Sequence, residues 1–156
     1  MASALQQELK QRKPFQSAGH EAVLGLMRTT DLIRRRAAAL IEPHGITLQQ
    51  FNVLRILRGS GEDGLPTLEV GDRMIEQTPG VTRLLDRLEA KELVRRQRCP
   101  KDRRQHLCWI TPKGLALLDT LDVVTARAHD DSLKGLKQKD RVALIRLLDA
   151  IRAAHP

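Results

Sequence analysis

Apolar residues recur at steps of three and four along much of the chain, the spacing that predicts amphipathic α-helices. The first long run covers about residues 17–42, and Pro43 and Gly45 then end the predicted helix. A shorter helix is expected within residues 3–12, in the polar arm that precedes this run. The long run predicts a buried stripe formed by Val23, Leu26, Thr30, Ile33, Ala37 and Leu40.

A second helix is predicted to begin at Thr47, because Thr47 and Gln50 have the spacing of a capping box. A cluster of glycines ends this helix, and Leu65-Pro66 follows as a short extended piece. Thr67 is then placed to cap a brief helix over residues 68–75. Its predicted inward residues are Val70, Met74 and Ile75.

A turn leads to a third helix of this group, with Thr78 as its N-cap and Pro79 at the first helical position. The helix is predicted to extend to about residue 91. Residues 94–99 and 105–111 then alternate as two strands of a hairpin.

Two helices complete the chain. Thr111-Pro112 repeats the cap-and-proline signal and opens a long helix to about residue 133, where Gly135 breaks it. A last helix is predicted over residues 137–154. Its apolar set is Val142, Leu144, Ile145, Leu147, Leu148 and Ile151. That stripe is wider than one contact surface requires, which indicates burial against a second chain.

The order helix, extended piece, helix, helix, strand, loop, strand is typical of a winged helix-turn-helix. We therefore predict a mainly α fold with a small β-hairpin wing. In helix-turn-helix proteins the second helix enters the major groove of DNA, and here that helix is residues 78–91.

The helix over residues 78–91 has two distinct faces at about 100° per residue. Its apolar face consists of Val81, Leu84, Leu85 and Leu88, and its outward face of Pro79, Thr82, Arg83, Asp86, Arg87 and Ala90. Arg83 and Arg87 have the reach to bond guanine O6 and N7, and Thr82 to bond a base or touch a thymine methyl. The small residues Thr78, Pro79 and Gly80 would let the helix end approach a phosphate. The alternative is an ordinary amphipathic surface helix with solvated arginines.

Charge is concentrated in the predicted hairpin. The chain has a formal net charge of +8, which favours a polyanionic partner, nucleic acid before an acidic membrane. Residues 95–104 contain one anion, Asp102, and six cations: Arg95, Arg96, Arg98, Lys101, Arg103 and Arg104. These cations predict a projecting basic strip, with Arg104 and Arg103 as candidates for insertion into a minor groove. Asp102 is expected to orient an arginine or to cap the turn.

Other functional classes find little support. With 2% aromatic residues, the chain lacks the stacking platforms of single-strand binders. No catalytic motif is present, and the histidines are scattered, so we predict no enzyme, no metal and no cofactor. Cys108 is expected to be a small core residue; a disulfide with Cys99 that locks the wing is the alternative. Without an apolar run of about 18 residues or a signal core, a cytoplasmic protein with no membrane partner is expected.

Three segments resemble the MarR family of bacterial regulators: residues 78–94, Asp102-Arg103-Arg104, and Ile110 to Gly114. The resemblance implies an obligate homodimer in which residues 1–46 and 112–156 form a helical dimerisation region. Residues 47–111 would form the winged helix-turn-helix, all within one continuous domain. It further implies a pseudo-palindromic operator, with the wings in the flanking minor grooves.

Asp102 and Arg104 fall on the family's Asp-x-Arg pair in the wing. The resemblance also implies release from DNA by a small molecule, often an aromatic acid, near Thr82 and Arg96. One departure is Glu92, where the family usually has glycine. A left-handed Glu92 would cost roughly 1 kcal/mol, unless the helix ends differently.

The predicted function is a sequence-specific regulator of transcription that binds double-stranded DNA, in the form of a repressor released by a small ligand. The alternative is a winged helix used only for dimerisation or protein interaction. Such modules normally lack a basic wing and a cationic recognition helix, and both are present here. The residues predicted to bind DNA are Thr78, Pro79, Gly80, Thr82, Arg83, Arg87, Arg98, Lys101, Asp102, Arg103 and Arg104.

Overall fold

A computed structural model of the protein describes residues 3–155 and confirms the mainly helical fold with a small antiparallel sheet. Its helices are α1 (Ala4–Glu8), α2 (Ala18–Ile41), α3 (Leu48–Gly59), α4 (Thr67–Asp72), α5 (Val81–Ala90), α6 (Pro112–Ser132) and α7 (Gln138–Ala153). Its strands are β1 (Leu65–Pro66), β2 (Val94–Arg98) and β3 (His106–Ile110). A single 3₁₀ turn in this range, Glu42–His44, joins α2 to the loop before α3.

Two of the predicted helix starts are confirmed in detail. The Thr47 hydroxyl accepts a hydrogen bond from the Gln50 amide at 3.2 Å, and the Gln50 side chain accepts from the Thr47 amide at 3.0 Å. The Thr111 hydroxyl accepts from the Gly114 amide at 3.1 Å, with Pro112 at the first position of α6. These bonds satisfy amides that would otherwise lack partners at a helix end.

The sheet extends the predicted hairpin by one short strand. Its order is β1-β3-β2, and both pairs are antiparallel. Cys108 on β3 lies between Leu65 and Arg96 on the two neighbouring strands. The wing is therefore tied at its base to the segment that leads into α4.

The core lies where α3 meets α5, the sheet and α6. It is aliphatic, and its fully buried side chains include Ile41, Leu54, Leu57, Val70, Leu85, Leu88, Leu118 and Leu121. Cys108 is also fully buried, which confirms its predicted place as a small core residue. This arrangement packs the apolar face of α5 against the core and leaves its other face exposed.

A bidentate ion pair joins α3 to α6 at the edge of this core. Arg58 donates to the two carboxylate oxygens of Asp122 at 2.6 and 3.2 Å. The hydrogen bond to Asp122 raises the pKa of Arg58, and the same bond lowers the pKa of Asp122 below its ordinary value. The pair therefore links the helix-turn-helix to the last long helices.

The predicted buried stripe of α2 is not buried within one chain. Val23 is 57% exposed, and Leu26 and Ile33 are also exposed, whereas Ile41 at the end of the helix is buried. The apolar face of α7 is likewise open, with Ile145 60% exposed. The periodicity identified a real apolar face, of which Ala37 and Leu40 are half-buried while Val23, Leu26 and Ile33 stay exposed.

The brief helix α4 departs from the prediction at both ends. Pro66 occupies the N-cap position, and the Thr67 hydroxyl donates to the carbonyl of His106 at 3.3 Å instead of capping the helix. Val70 and Met74 point inward as predicted, but Ile75 lies beyond the helix end and is 88% exposed. The inward assignment of Ile75 was wrong because the helical phase stops at Asp72.

Candidate nucleic-acid interface

Helix α5 presents the two faces that its sequence predicts. Val81, Leu84, Leu85 and Leu88 are buried against the core. The opposite face is exposed along its whole length, with Thr82, Arg83, Asp86, Arg87 and Ala90. Burial of four aliphatic side chains anchors the helix, so its cationic face is held outward on a rigid support.

The N-terminal end of α5 is built differently from the prediction. The helix begins at Val81 with Gly80 as its N-cap, so Thr78 is not the N-cap and Pro79 is not the first helical residue. The Thr78 hydroxyl instead accepts from the Gly80 amide at 3.3 Å. A threonine hydroxyl can accept from the backbone amide two residues further on instead of from an amide at a helix end, and Thr78 does the former. In residues 3–155 no side chain caps the first turn of α5.

The C-terminal end of α5 closes in a Schellman motif around Glu92. The Glu92 amide donates to the Glu89 carbonyl at 2.9 Å, and the Leu93 amide to the Leu88 carbonyl at 3.0 Å. Glu92 has φ of 61°, so it adopts the left-handed conformation that usually favours glycine. The helix therefore ends with the geometry usual for a glycine at this position. The left-handed backbone of Glu92 costs conformational free energy that a glycine would not. Its carboxylate pairs with Lys113 at 3.2 Å across an exposed surface.

The tip of the wing is an exposed cationic turn. The Asp102 carboxylate accepts from the Arg104 amide at 3.0 Å, and the Gln105 amide donates to the Asp102 carbonyl at 3.0 Å. Asp102 thus caps the turn, which is one of its two predicted roles. The exposed cations at the tip are Arg98, Lys101, Arg103 and Arg104.

The other two cations of the wing are engaged within the protein, which corrects the prediction of six projecting charges. The Arg95 guanidinium lies 4.1 Å from the centre of the Trp109 ring, its cross-strand partner. Trp109 in turn donates through Nε1 to the carbonyl of Glu62 at 2.8 Å. Because side chains alternate across a strand, Arg95 and Arg96 leave β2 on opposite faces, and of the two only Arg95 is exposed.

Arg96 joins the wing to the recognition helix. Its guanidinium bonds Glu89 through Nε at 3.0 Å and Nη2 at 2.6 Å, and it also contacts the Asp86 carboxylate. The Arg96 side chain is only 18% exposed. Burial opposes its charge, but the hydrogen bonds to Glu89 and Asp86 outweigh that effect and raise the pKa of Arg96. This pairing was not predicted, although Asp86 and Glu89 have the spacing of residues on one helix face.

A cavity of about 560 Å³ lies between α4, α5 and the wing. Thr82 and Arg96, the two candidate ligand-binding residues, both line it, together with Arg104 from the wing tip. Its remaining lining residues are Pro66, Thr67, Leu68, Glu69, Gln105 and His106. The structure therefore brings the two candidates to one site that also borders the predicted DNA-binding surface.

The remaining candidate chemistry is structural. Both cysteines are free, Cys99 is half-buried, and burial raises the pKa of the Cys108 thiol. Across residues 3–155, no three His, Cys, Asp or Glu side chains group in a way that could hold a metal ion. Within the same range, every helix is too short or too polar to cross a bilayer.

The exposed helix of the helix-turn-helix and the basic hairpin beside it define the class of protein, a winged helix-turn-helix. A model of the MarR family matches residues 46–106. The HTH-type transcriptional regulator MhqR of Bacillus subtilis is 32% identical over 100 residues, which cover 64% of this chain and 68% of MhqR. The HTH-type transcriptional repressor NicR of Pseudomonas putida is 29% identical over 133 residues, 85% of this chain and 80% of NicR.

Among solved structures, BpsR of Bordetella bronchiseptica superposes with a TM-score of 0.76 at 26% identity, covering 88% of this chain and 94% of that chain. The chain belongs to the MarR family of transcriptional regulators, as the resemblance of its recognition helix and wing indicated. MhqR and NicR are regulators, which agrees with the prediction that this protein is not an enzyme.

Proposed function

We propose that this protein is a homodimeric repressor of transcription that binds a pseudo-palindromic operator in double-stranded DNA. The observation that carries the proposal is that Thr82 of α5 and Arg104 of the wing tip line one cavity. The exposed face of α5 and the tip of the wing therefore open to the same side of the protomer. Arg83 and Arg87 would read base edges in the major groove, while the wing cations enter the flanking minor groove. The name of NicR, a transcriptional repressor, supports repression.

Two groups of residues would make the contacts with DNA. The first, at the N-terminal end and exposed face of α5, is Thr78, Pro79, Gly80, Thr82, Arg83 and Arg87. The second, at the wing tip, is Arg98, Lys101, Asp102, Arg103 and Arg104. Asp102 would act by shaping the turn, since a carboxylate does not attract a phosphate. Such a protein would work in the cytoplasm, where the chromosome is accessible.

The dimer is proposed from the apolar surface that one chain leaves open. Large aliphatic residues are exposed on α2, α6 and α7: Val23, Leu26, Met27, Leu32, Ile33, Val123, Val142, Ile145, Leu147 and Ile151. Apolar surface of this extent is typical of a protein interface. We assign residues 1–46 and 112–156 to the dimerisation region and residues 47–111 to DNA binding.

We further propose that a small aromatic acid enters the cavity beside Thr82 and releases the repressor. The cavity is large enough for such a molecule, and its carboxylate would bond the Arg96 guanidinium in competition with Glu89 and Asp86. The BpsR structure concerns regulation of DNA binding by 6-hydroxynicotinic acid, which is a molecule of this class. A ligand bound here would compete with DNA for Thr82 and Arg104, because both also belong to the proposed DNA-binding surface.

The DNA-binding proposal is tested by selecting a duplex from a random-sequence library and measuring its affinity by fluorescence anisotropy. We expect Arg83→Ala to reduce discrimination against single base changes, and Arg104→Ala to weaken binding to all duplexes. Arg35→Ala removes an equal charge from the exposed surface of α2 and serves as the control, once sedimentation shows that it dimerises like the wild type. If neither interface variant differs from this control, the assignment of the interface is wrong. A protein that selects no duplex would instead favour a protein-interaction module.

The ligand proposal is tested by calorimetric titration of the free protein with 6-hydroxynicotinic acid and related aromatic acids. Thr82→Val keeps the side-chain volume and removes the hydroxyl, and Arg96→Met removes the cation. Loss of a hydrogen bond to a charged group should weaken binding at least about tenfold. Equal affinities for the wild type and both variants would exclude this cavity as the binding site.

A further inference from the structure

The connection between α4 and α5, residues 73–80, is held mainly by polar contacts. Met74 is buried, but Ile75, Glu76 and Gln77 are exposed. This connection leads directly into the end of α5 that we propose enters the major groove. Its course therefore decides where that end of the recognition helix lies.

Glu76 is the centre of these contacts. One carboxylate oxygen accepts from Arg34 of α2 at 3.0 Å, and the other accepts from the Gln49 side chain of α3 at 3.2 Å. The neighbouring Ile75 amide donates to the side-chain oxygen of Asn52 at 2.9 Å. Helices α2 and α3 therefore bond to two successive residues of the connection, Ile75 and Glu76.

The two ends of α5 are secured by different means. The C-terminal end has its Schellman bonds, and Lys91 donates to the carbonyl of Gly45. The N-terminal end has no side-chain cap within residues 3–155, and Thr78 and Gln77 bond only within the connection. The contacts of Glu76 tie this part of the connection to neighbouring helices. Of these ties, Arg34 alone comes from α2, the helix that also carries exposed apolar residues such as Val23.

We infer that Glu76 is a positioning residue for operator recognition, which holds the N-terminal end of α5 at a fixed place relative to α2. In a dimer formed through α2, that tie sets the separation between the two recognition helices. Helix-turn-helix dimers read half-sites about one helical turn apart, so a shift of either helix changes the preferred spacing. This inference rests on the proposed dimeric DNA-binding function.

The expected size of the effect follows from the exposure of the ion pair. Arg34 and Glu76 side chains are 53% and 47% exposed, so the contact is screened by solvent. Exposed pairs of this kind change an equilibrium by about two- to fivefold. Affinity falls only as far as the population of correctly placed helices falls, so two subunits on one operator give a loss of at most about 25-fold.

The test compares Glu76→Gln with Asp31→Asn. Asp31 pairs with Arg35 at 3.0 Å on the same helix α2, so its variant removes the same charge and one exposed ion pair without touching the connection. Because α2 belongs to the proposed dimerisation region, sedimentation velocity must show both variants to be as dimeric as the wild type. The double variant Arg34→Glu with Glu76→Arg reverses the pair and tests for rescue. Hydrogen exchange is followed in the free protein at the amides of Ile75 and Gly80, which are both hydrogen-bonded.

In Glu76→Gln we expect two- to fivefold faster exchange at these amides, unlike in the control, consistent with the strength of the pair given above. On the duplex selected by the wild type, affinity should fall by at most about 25-fold, and the penalty for one inserted or deleted base pair between half-sites should shrink. Affinity for random duplex should equal that of the Asp31→Asn control, and the reversed pair should recover the spacing preference.

Unchanged exchange in Glu76→Gln would overturn the inference, and so would a uniform loss of affinity for all duplexes and spacings. If the wild type selects no duplex, the proposed function fails, while the exchange comparison still decides whether Glu76 orders the connection. If Glu76→Gln does not fold, Arg34→Gln removes the tie to α2 alone and takes its place in both measurements.

Discussion

The loop that supports the wing offers a matched pair of substitutions, Gly61→Ala and Gly64→Ala. Gly61 and Gly64 have nearly the same left-handed conformation, with φ of 77° and 76°. A Cβ atom on Gly61 would meet nothing within 4 Å, whereas one on Gly64 would lie 2.5 Å from Cε2 of Trp109. The two variants therefore share a backbone strain and differ in one steric clash.

The magnitudes follow from these two terms. Left-handed alanine costs about 1–2 kcal/mol relative to glycine, partly offset by about 0.4–1 kcal/mol of lost freedom in the unfolded chain. Gly61→Ala should therefore lower the free energy of unfolding by up to about 1.5 kcal/mol. Gly64→Ala adds an overpacking cost of about 1–3 kcal/mol, because Trp109 is tied to Glu62 and stacked on Arg95.

The assay is urea denaturation at one fixed protomer concentration, followed by circular dichroism and by tryptophan fluorescence. Trp109 is the only tryptophan of the chain, so its fluorescence reports on the base of the wing alone. We expect Gly64→Ala to be less stable than Gly61→Ala, with an altered native emission spectrum. Equal stabilities and unchanged native spectra would show that Trp109 does not pack as described.

Two further predictions concern the ends of α5 and α3. Glu92→Gly should raise the free energy of unfolding by up to about 1 kcal/mol, because the relief of left-handed strain is larger than the stabilisation lost with the exposed ion pair to Lys113. Thermal unfolding checks this, and a loss of stability would contradict it. The lowered pKa of Asp122 means that its contribution is present above the ordinary carboxyl pKa and is lost as pH falls through the lower folded value. Arg58→Met should therefore reduce stability at neutral pH and flatten its dependence below about pH 4, which denaturation at several pH values would reveal; an unchanged acid dependence would argue against the pair.

Local patterns predicted most of the helices and the hairpin, because their signals are carried by neighbouring residues. The capping box at Thr47 needs only Gln50, and the buried face of α5 follows from its period. The prediction of Thr78 as the N-cap was wrong because its hydroxyl can accept from a backbone amide in a turn as well as from one at a helix end. The prediction that Ile75 points inward was wrong because an apolar side chain does not indicate where a helix ends.

The parts of the site that escaped prediction depend on contacts between distant segments. A count of charges does not separate Arg95, which stacks on Trp109, from the free cations at the wing tip. Arg96 forms its ion pair with α5 only because the folded hairpin lies against Glu89. The exposed face of α2 shows the same limit, since the period of its apolar residues does not indicate whether any other segment covers them.

The salt dependence of operator binding decides most sharply whether α5 and the wing tip form a DNA-binding surface. If α5 and the wing tip of two subunits make about 6–10 phosphate contacts, affinity for the selected duplex should fall by roughly three to five decades between 50 and 200 mM salt. A protein lacking both Arg103 and Arg104 should show a visibly shallower slope of log affinity against log salt. A flat salt dependence for the wild type, or the same slope after removal of both arginines, would show that the wing tip does not contact DNA phosphates.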